Sequence, residues 1–266
     1  MDLSALALAL LPAAGVAFDH SAFDSLLRAH VAGGLVDYDA FARSREFRTY
    51  LDRLAGAEPE LLPDKERLAF WANVYNAYTI EQVNAHHERA SIRNIRKALG
   101  LFPLKGPWSE RMVRAAGGTL TLDEVEHDIL RRRFREPRVH FALVCAALGC
   151  PPLRSEAYTG ARIDEQLDDQ ARVFLLRTPA KNRVDVATRT VWVSPILIWY
   201  EEDFGGTREA LGQFLARYWS EGPERVLLLS GRFRLRETAY DWALNVVGKA
   251  SLGDDLRHDP RDGRLQ

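Results

Sequence analysis

The sequence predicts an α+β fold: helices packed on a small, mainly antiparallel sheet, with one long helix buried at the centre. Three observations predict it. From Asp64 the chain reads D-K-E-R-L-A-F-W-A-N-V-Y-N-A-Y-T-I-E-Q-V-N-A-H-H-E, with acids in the first turn and apolar residues on nearly every side between Leu68 and Ile80. From Val184, V-D-V-A-T-R-T-V-W-V alternates about a central turn, as the two arms of a hairpin do. Val139, Phe141 and Leu143 alternate with Arg138, His140 and Ala142, the period of a strand, and Val144 gives that strand a buried end.

At the start, L-S-A-L-A-L-A-L-L-P-A-A-G-V-A from Leu3 is an uncharged apolar run ending in small residues, the form of a secretory leader cleaved after Ala17. Asp2 stands where a basic residue is usual, so a short buried helix is the alternative reading. The leader reading sets 1–17 apart as a signal peptide, leaves 18–266 as one domain, and expects a periplasmic or secreted protein. No later run reaches the ~20 apolar residues a membrane span requires, so no integral membrane segment is expected after processing. Thirty-six basic residues against thirty-seven acidic ones leave a net charge of −1, which provides no overall field for nucleic acid.

Residues 18–31 have an amphipathic helical pattern, and Gly33-Gly34 separates it from a second helix over 39–54. After a loop at 56–63 comes the long helix, where Asn73 and Asn76 share a face. Buried amides left unpaired cost ~1–3 kcal/mol each, so both are expected to bond loop backbone or a site. A short helix over 91–99, a loop over 100–108 and a small hairpin over 111–120 follow. Thr121-Leu-Asp-Glu124 is a capping box opening a helix that carries His127 in its second turn and ends in Arg131-Arg-Arg133. Beyond the cysteines, helices are expected at 164–177, 207–219 and 240–247, short strands around 226–235, and a frayed charged end from Gly253.

The chemistry gathers in R-V-H-F-A-L-V-C-A-A-L-G-C-P-P-L-R, residues 138–154, which holds both cysteines of the chain. Gly149 and Pro151-Pro152 stop the strand, so Cys145 falls at a strand-to-turn corner, where backbone N–H groups can stabilise a thiolate. An inert core cysteine and a Cys145–Cys150 disulfide are the two plainer readings. His140, Cys145 and Cys150 are evenly spaced, but paired C-x2-C clusters and a fourth ligand are missing, so neither a metal nor another cofactor is expected.

Several stretches together resemble one family, the domain of unknown function 547, found in bacterial exported proteins and in plants and animals. They are F-W-A-N-V-Y-N-A from Phe70, L-D-E-V-E-H-D-I-L-R from Leu122, V-H-F-A-L-V-C-A-A-L-G-C-P-P-L from Val139, W-Y-E-E-D-F-G from Trp199 and Y-D-W-A-L-N from Tyr240. The family pattern N-C-G-x-x-S-C-P-P is met here with Val144, Ala146 and Gly149 in place of asparagine, glycine and serine. The resemblance implies no settled activity.

From the residues themselves, a thiol-dependent hydrolase or acyltransferase acting on an amide or ester of a small-molecule or peptide substrate is one expectation, with Cys145 as nucleophile. His140 would lie about 16 Å along a strand from Cys145 and on the opposite face, which makes it structural. His127 is the expected base. Glu124, or Asp123, is placed to orient its ring from the same helix, Asp203 and Asp241 are more distant orienters, and Asn76 could donate to an oxyanion. Trp199, Tyr200, Tyr240 and Trp242 could wall a pocket. The other expectation is a non-catalytic binding or envelope-assembly domain stapled by a Cys145–Cys150 disulfide.

Overall fold

The computed structural model describes residues 17–95 and 106–248. The leader expected at 1–17 lies outside the described residues except for Ala17, as do the end of the helix expected over 91–99, most of the 100–108 loop and the tail from Gly253.

The architecture is α+β, organised on the helix Asp64–Ala85, in which every residue from Leu68 to Ile80 is buried. A helix apolar all round can be accommodated only if neighbours cover every face. The helices Tyr38–Arg43 and Arg45–Ala55, the hairpin Val113–Ala115/Gly118–Leu120 and the helices Glu124–Phe134 and Ile163–Leu176 surround it, and Ser21–His30 packs outside on the first two of these. Each large apolar side chain that it buries contributes roughly 1.5–3 kcal/mol. The single helix expected over 39–54 is two, because Ser44 is extended and its hydroxyl caps the second helix by accepting from the Phe47 amide at 3.0 Å.

The described strands are short. Val31–Ala32 pairs with Leu35–Val36, and Val113–Ala115 pairs with Gly118–Leu120, both antiparallel. The expected 184–193 hairpin forms as Arg183–Asp185 against Thr190–Val193, and Arg234–Glu237 adds a third strand in parallel to the latter. Part of the 226–235 strand expectation is overturned: Pro223–Leu229 is a helix, with Pro223 at its first position, where a missing N–H is harmless.

The 138–144 strand is also corrected. Val139–Ala142 is one helical turn, entered through Pro137, with the Glu136 carboxylate accepting from the Arg138 amide at 3.0 Å. Leu143 to Cys145 then runs extended without joining a sheet, because the Val144 amide donates to Asn76 Oδ1 instead, at 3.0 Å. The helix expected over 240–247 is extended as well. Leu244 bridges Ala147 and Val246 bridges Val36, while the Asn245 amide donates to the Ala146 carbonyl at 3.0 Å. Both departures have one cause: backbone groups of 144–148 pair with Asn76 of the central helix and with Ala243 and Asn245, while those of 244–247 pair with Ala146, Ala90 and Val36, which outweighs local propensity.

The apolar interior forms two clusters, one around the central helix and one centred on Phe141, Phe174, Phe204 and Phe214 over the three-stranded sheet. The turn Val139–Ala142 is wedged between them: Val139 and Ala142 pack into the first, Phe141 into the second. His140 is thereby held at the seam.

Candidate binding site at the cysteine turn

At this seam opens a cavity of about 350 Å3, lined by Tyr75, Trp108, Asp123, Glu126, His127, His140, Leu143, Cys145, Cys150, Ile196, Trp199, Tyr200, Tyr240 and Trp242. That volume lies within the ordinary range for small-molecule sites, and mostly apolar walls with a few convergent polar groups are their usual composition.

Both cysteines of the chain are joined in one disulfide, with Cα atoms 6.1 Å apart. The turn closes because Ala146 adopts φ +65° and Cys150 N–H donates to the Ala147 carbonyl at 3.1 Å. The Tyr240 hydroxyl lies 3.1 Å from both sulfurs, and the Cys145 amide donates to Cys150 Sγ at 3.0 Å. Gly149 is required here, since a Cβ at this position would stand 2.8 Å from the Tyr240 ring. Behind the turn, Lys181 Nζ donates to the Leu148 and Cys150 carbonyls, each at 2.7 Å, and burial lowers its pKa to about 8. A larger open depression of about 600 Å3 lies on that side; of its four basic lining residues, Arg28 and Arg154 are paired with Glu156 and Lys181 is held by the two carbonyls.

The polar groups of the cavity come mainly from the helix Glu124–Phe134. It opens with the expected capping box, Glu124 N–H on Thr121 Oγ1 at 3.0 Å and Thr121 N–H on Glu124 Oε2 at 2.7 Å. Past that point it is wound as a π-helix, with i→i+5 hydrogen bonds. In an α-helix consecutive residues diverge by about 100°. The wider π winding narrows that angle, so that the sequence neighbours Glu126 and His127 line one cavity together with Asp123.

Glu126 is buried and accepts hydrogen bonds from the Tyr75 and Tyr200 hydroxyls, whose pKa values are raised first by burial and then by its charge. His140 Nε2 lies 2.6 Å from Asp203 Oδ2, its Nδ1 is 4.0 Å from Glu126 Oε1, and its ring stacks on Tyr200 at 3.9 Å. Arg131 completes the cluster, donating through Nε and Nη2 to both Asp203 oxygens and standing 2.9 Å from His127 Nδ1 through Nη1. The bonds from His140 and Arg131 hold the Asp203 carboxyl well below the usual carboxylate range.

The five stretches that carry the family resemblance meet here: each contributes at least one lining residue, from Tyr75 in the first to Trp242 in the last. Residues 59–175 match the family model described as "Protein of unknown function, DUF547". This stretch carries the family's domain. No curated protein and no solved structure matches the chain. A helix-then-strand layout with cysteine and histidine on different elements is somewhat like thiol-protease or transglutaminase architecture, but that analogy has no support here.

Of the residues singled out in the sequence, Cys145, Cys150, Asp123 and His127 reach the cavity, as do the four aromatics Trp199, Tyr200, Tyr240 and Trp242. The Cys145 sulfur is bonded to Cys150, so the chain in this state presents no thiolate. Glu124 does not orient His127: it is held by the capping box and by Arg111 at 3.0 Å. Asn76 donates to the Ala142 carbonyl and accepts from the Val144 amide, each at 3.0 Å, so it ties the cysteine segment to the central helix. Sequence reasoning passed over Tyr75 and Glu126 and set His140 aside as structural. The last was placed on the wrong face by the strand reading, and Pro137, three residues before it, was the available signal for a turn.

Proposed function

We propose that this DUF547 protein is an exported ligand-binding domain in which the Cys145–Cys150 disulfide staples one wall of an aromatic pocket for a small molecule or a peptide side chain. The observation that carries this reading is the bond itself: the sulfur placed to act as a nucleophile in the cavity is already engaged. Disulfides persist in oxidising compartments, which supports export. The rest of the cavity supports binding. Its aromatic walls supply contact area, and Glu126, His127 and His140 supply orientation.

A second reading is favoured by one observation: Cys145 is only half-buried and shares the cavity with two histidines. On reduction, a thiol-dependent hydrolase or acyltransferase could be unmasked. The two readings separate in one experiment. Tryptophan fluorescence follows binding, because three of the six tryptophans line the cavity, and ester and amide turnover is assayed before and after dithiothreitol. Saturable quenching by the oxidised protein without turnover in either state supports the binding domain. Turnover that appears only on reduction and vanishes in Cys145→Ser supports the hydrolase.

A further inference from the structure

We infer that the cavity takes an organic cation, an alkylated ammonium or guanidinium group, seated on the aromatic faces against Glu126. This inference rests on the binding-pocket reading and names its ligand. Three observations carry it. First, the two carboxylates Asp123 and Glu126 are the charged lining groups, and no lysine or arginine lines the cavity among the described residues. An anion entering it would meet like charge in a partly dry site, whereas a cation would gain charge-assisted contact.

Second, the aromatic rings form one contiguous cluster in the cavity wall. Trp199 stacks on Trp242 at 5.9 Å with 20° between planes, Tyr240 lies 4.9 Å from Trp199 and 4.5 Å from Trp242, and Trp108 lies 6.3 Å from Trp242. Ring faces carry negative charge density, and aromatic faces attract quaternary and alkylated ammonium groups. These rings already attract cations within the protein: the Arg93 guanidinium stands over Trp242 at 5.1 Å and that of Arg131 over Tyr200 at 5.0 Å. Arg131 is neutralised by Asp203, so it does not cancel Glu126.

Third, Trp199 is half-exposed while its neighbours are more deeply set. An exposed tryptophan at the mouth of an acidic aromatic cavity forms a face that a ligand can cover.

The test uses the oxidised full chain and three probes of nearly equal shape: choline, its neutral carbon isostere neohexyl alcohol, and the anionic tert-butylacetate. Titration calorimetry and tryptophan quenching are read together. Choline is expected to bind saturably, at least about tenfold tighter than neohexyl alcohol, since each ~1.4 kcal/mol is tenfold. Glu126→Gln, which keeps the side-chain shape and an acceptor for the tyrosine hydroxyls, should weaken choline severalfold more than it weakens the neutral probe. If Glu126→Gln does not fold, Trp199→Ala at the exposed rim serves in its place and should weaken choline more than neohexyl alcohol. Equal or tighter binding of the neutral or anionic probe would overturn the cation while leaving the binding pocket standing. Failure of all three probes to bind the wild-type chain would overturn both.

Discussion

His140 Nε2 stands 2.6 Å from Asp203 Oδ2, joining two segments 63 residues apart in the chain. The pair fixes the imidazole at the seam between the two apolar clusters, while Arg131 grips the same carboxylate. Removing Asp203 therefore strands a buried imidazole and a partly buried guanidinium at once.

Asp203→Asn should lower stability by about 1–3 kcal/mol, the range for loss of a charge-assisted network discounted for partial solvation. A double-mutant cycle with His140→Asn, read by urea denaturation, should show non-additivity. The sign with pH follows from the lowered pKa of Asp203. The stabilisation is full above the ordinary carboxylate range and is lost as pH falls towards the depressed folded value, and the Asn variant should lack this dependence.

His20 gives a second pH signature. It is buried with Nδ1 2.7 Å from the Tyr50 hydroxyl, and burial lowers its pKa from 6.5 to about 3. A histidine neutral in the folded chain and protonated when unfolded loses stability as pH falls below 6.5. The full effect is roughly 3–5 kcal/mol. Thermal melts between pH 7 and pH 4 should show the loss in wild type and a shallower one in His20→Gln.

Asn76→Ala should destabilise by about 2–4 kcal/mol, because it leaves the Ala142 carbonyl and the Val144 amide without partners in the interior. Denaturant midpoints measure it. Retention of wild-type stability would mean that the cysteine segment does not depend on the central helix.

Ala146 holds φ +65° where the family pattern has glycine. A non-glycine residue in that region carries about 1–2 kcal/mol of strain, partly offset by the flexibility glycine adds to the unfolded chain. Ala146→Gly should accordingly raise the melting temperature by a few degrees, whereas Gly149→Ser should lower it by displacing the Tyr240 ring.

The legible parts of this molecule are those fixed by short-range rules. The buried helix from Asp64, the Thr121 capping box and the 184–193 hairpin each follow from periodicity or capping chemistry within one stretch. His140 and the 240–247 segment were misread because their conformations are set by partners distant in sequence: Asn76 takes the Val144 amide, and Ala146 to Leu148 pair with 243–245. Glu126 was missed for a different reason. Nothing in L-D-E-V-E-H-D-I-L-R announces π winding, and under α geometry Glu126 and His127 point apart.

The disulfide is the centre of the account. Its closed loop is short, so its chain-entropy contribution is near the low end, about 2 kcal/mol. Cys145→Ser and Cys150→Ser should then lose similar stability without adding in the double variant. The most direct measurement is a thiol count on natively purified protein denatured without reductant. No free thiol is expected before reduction and two after it. Two free thiols before reduction, with Cys145 alkylated ahead of Cys150 in the folded chain, would contradict it.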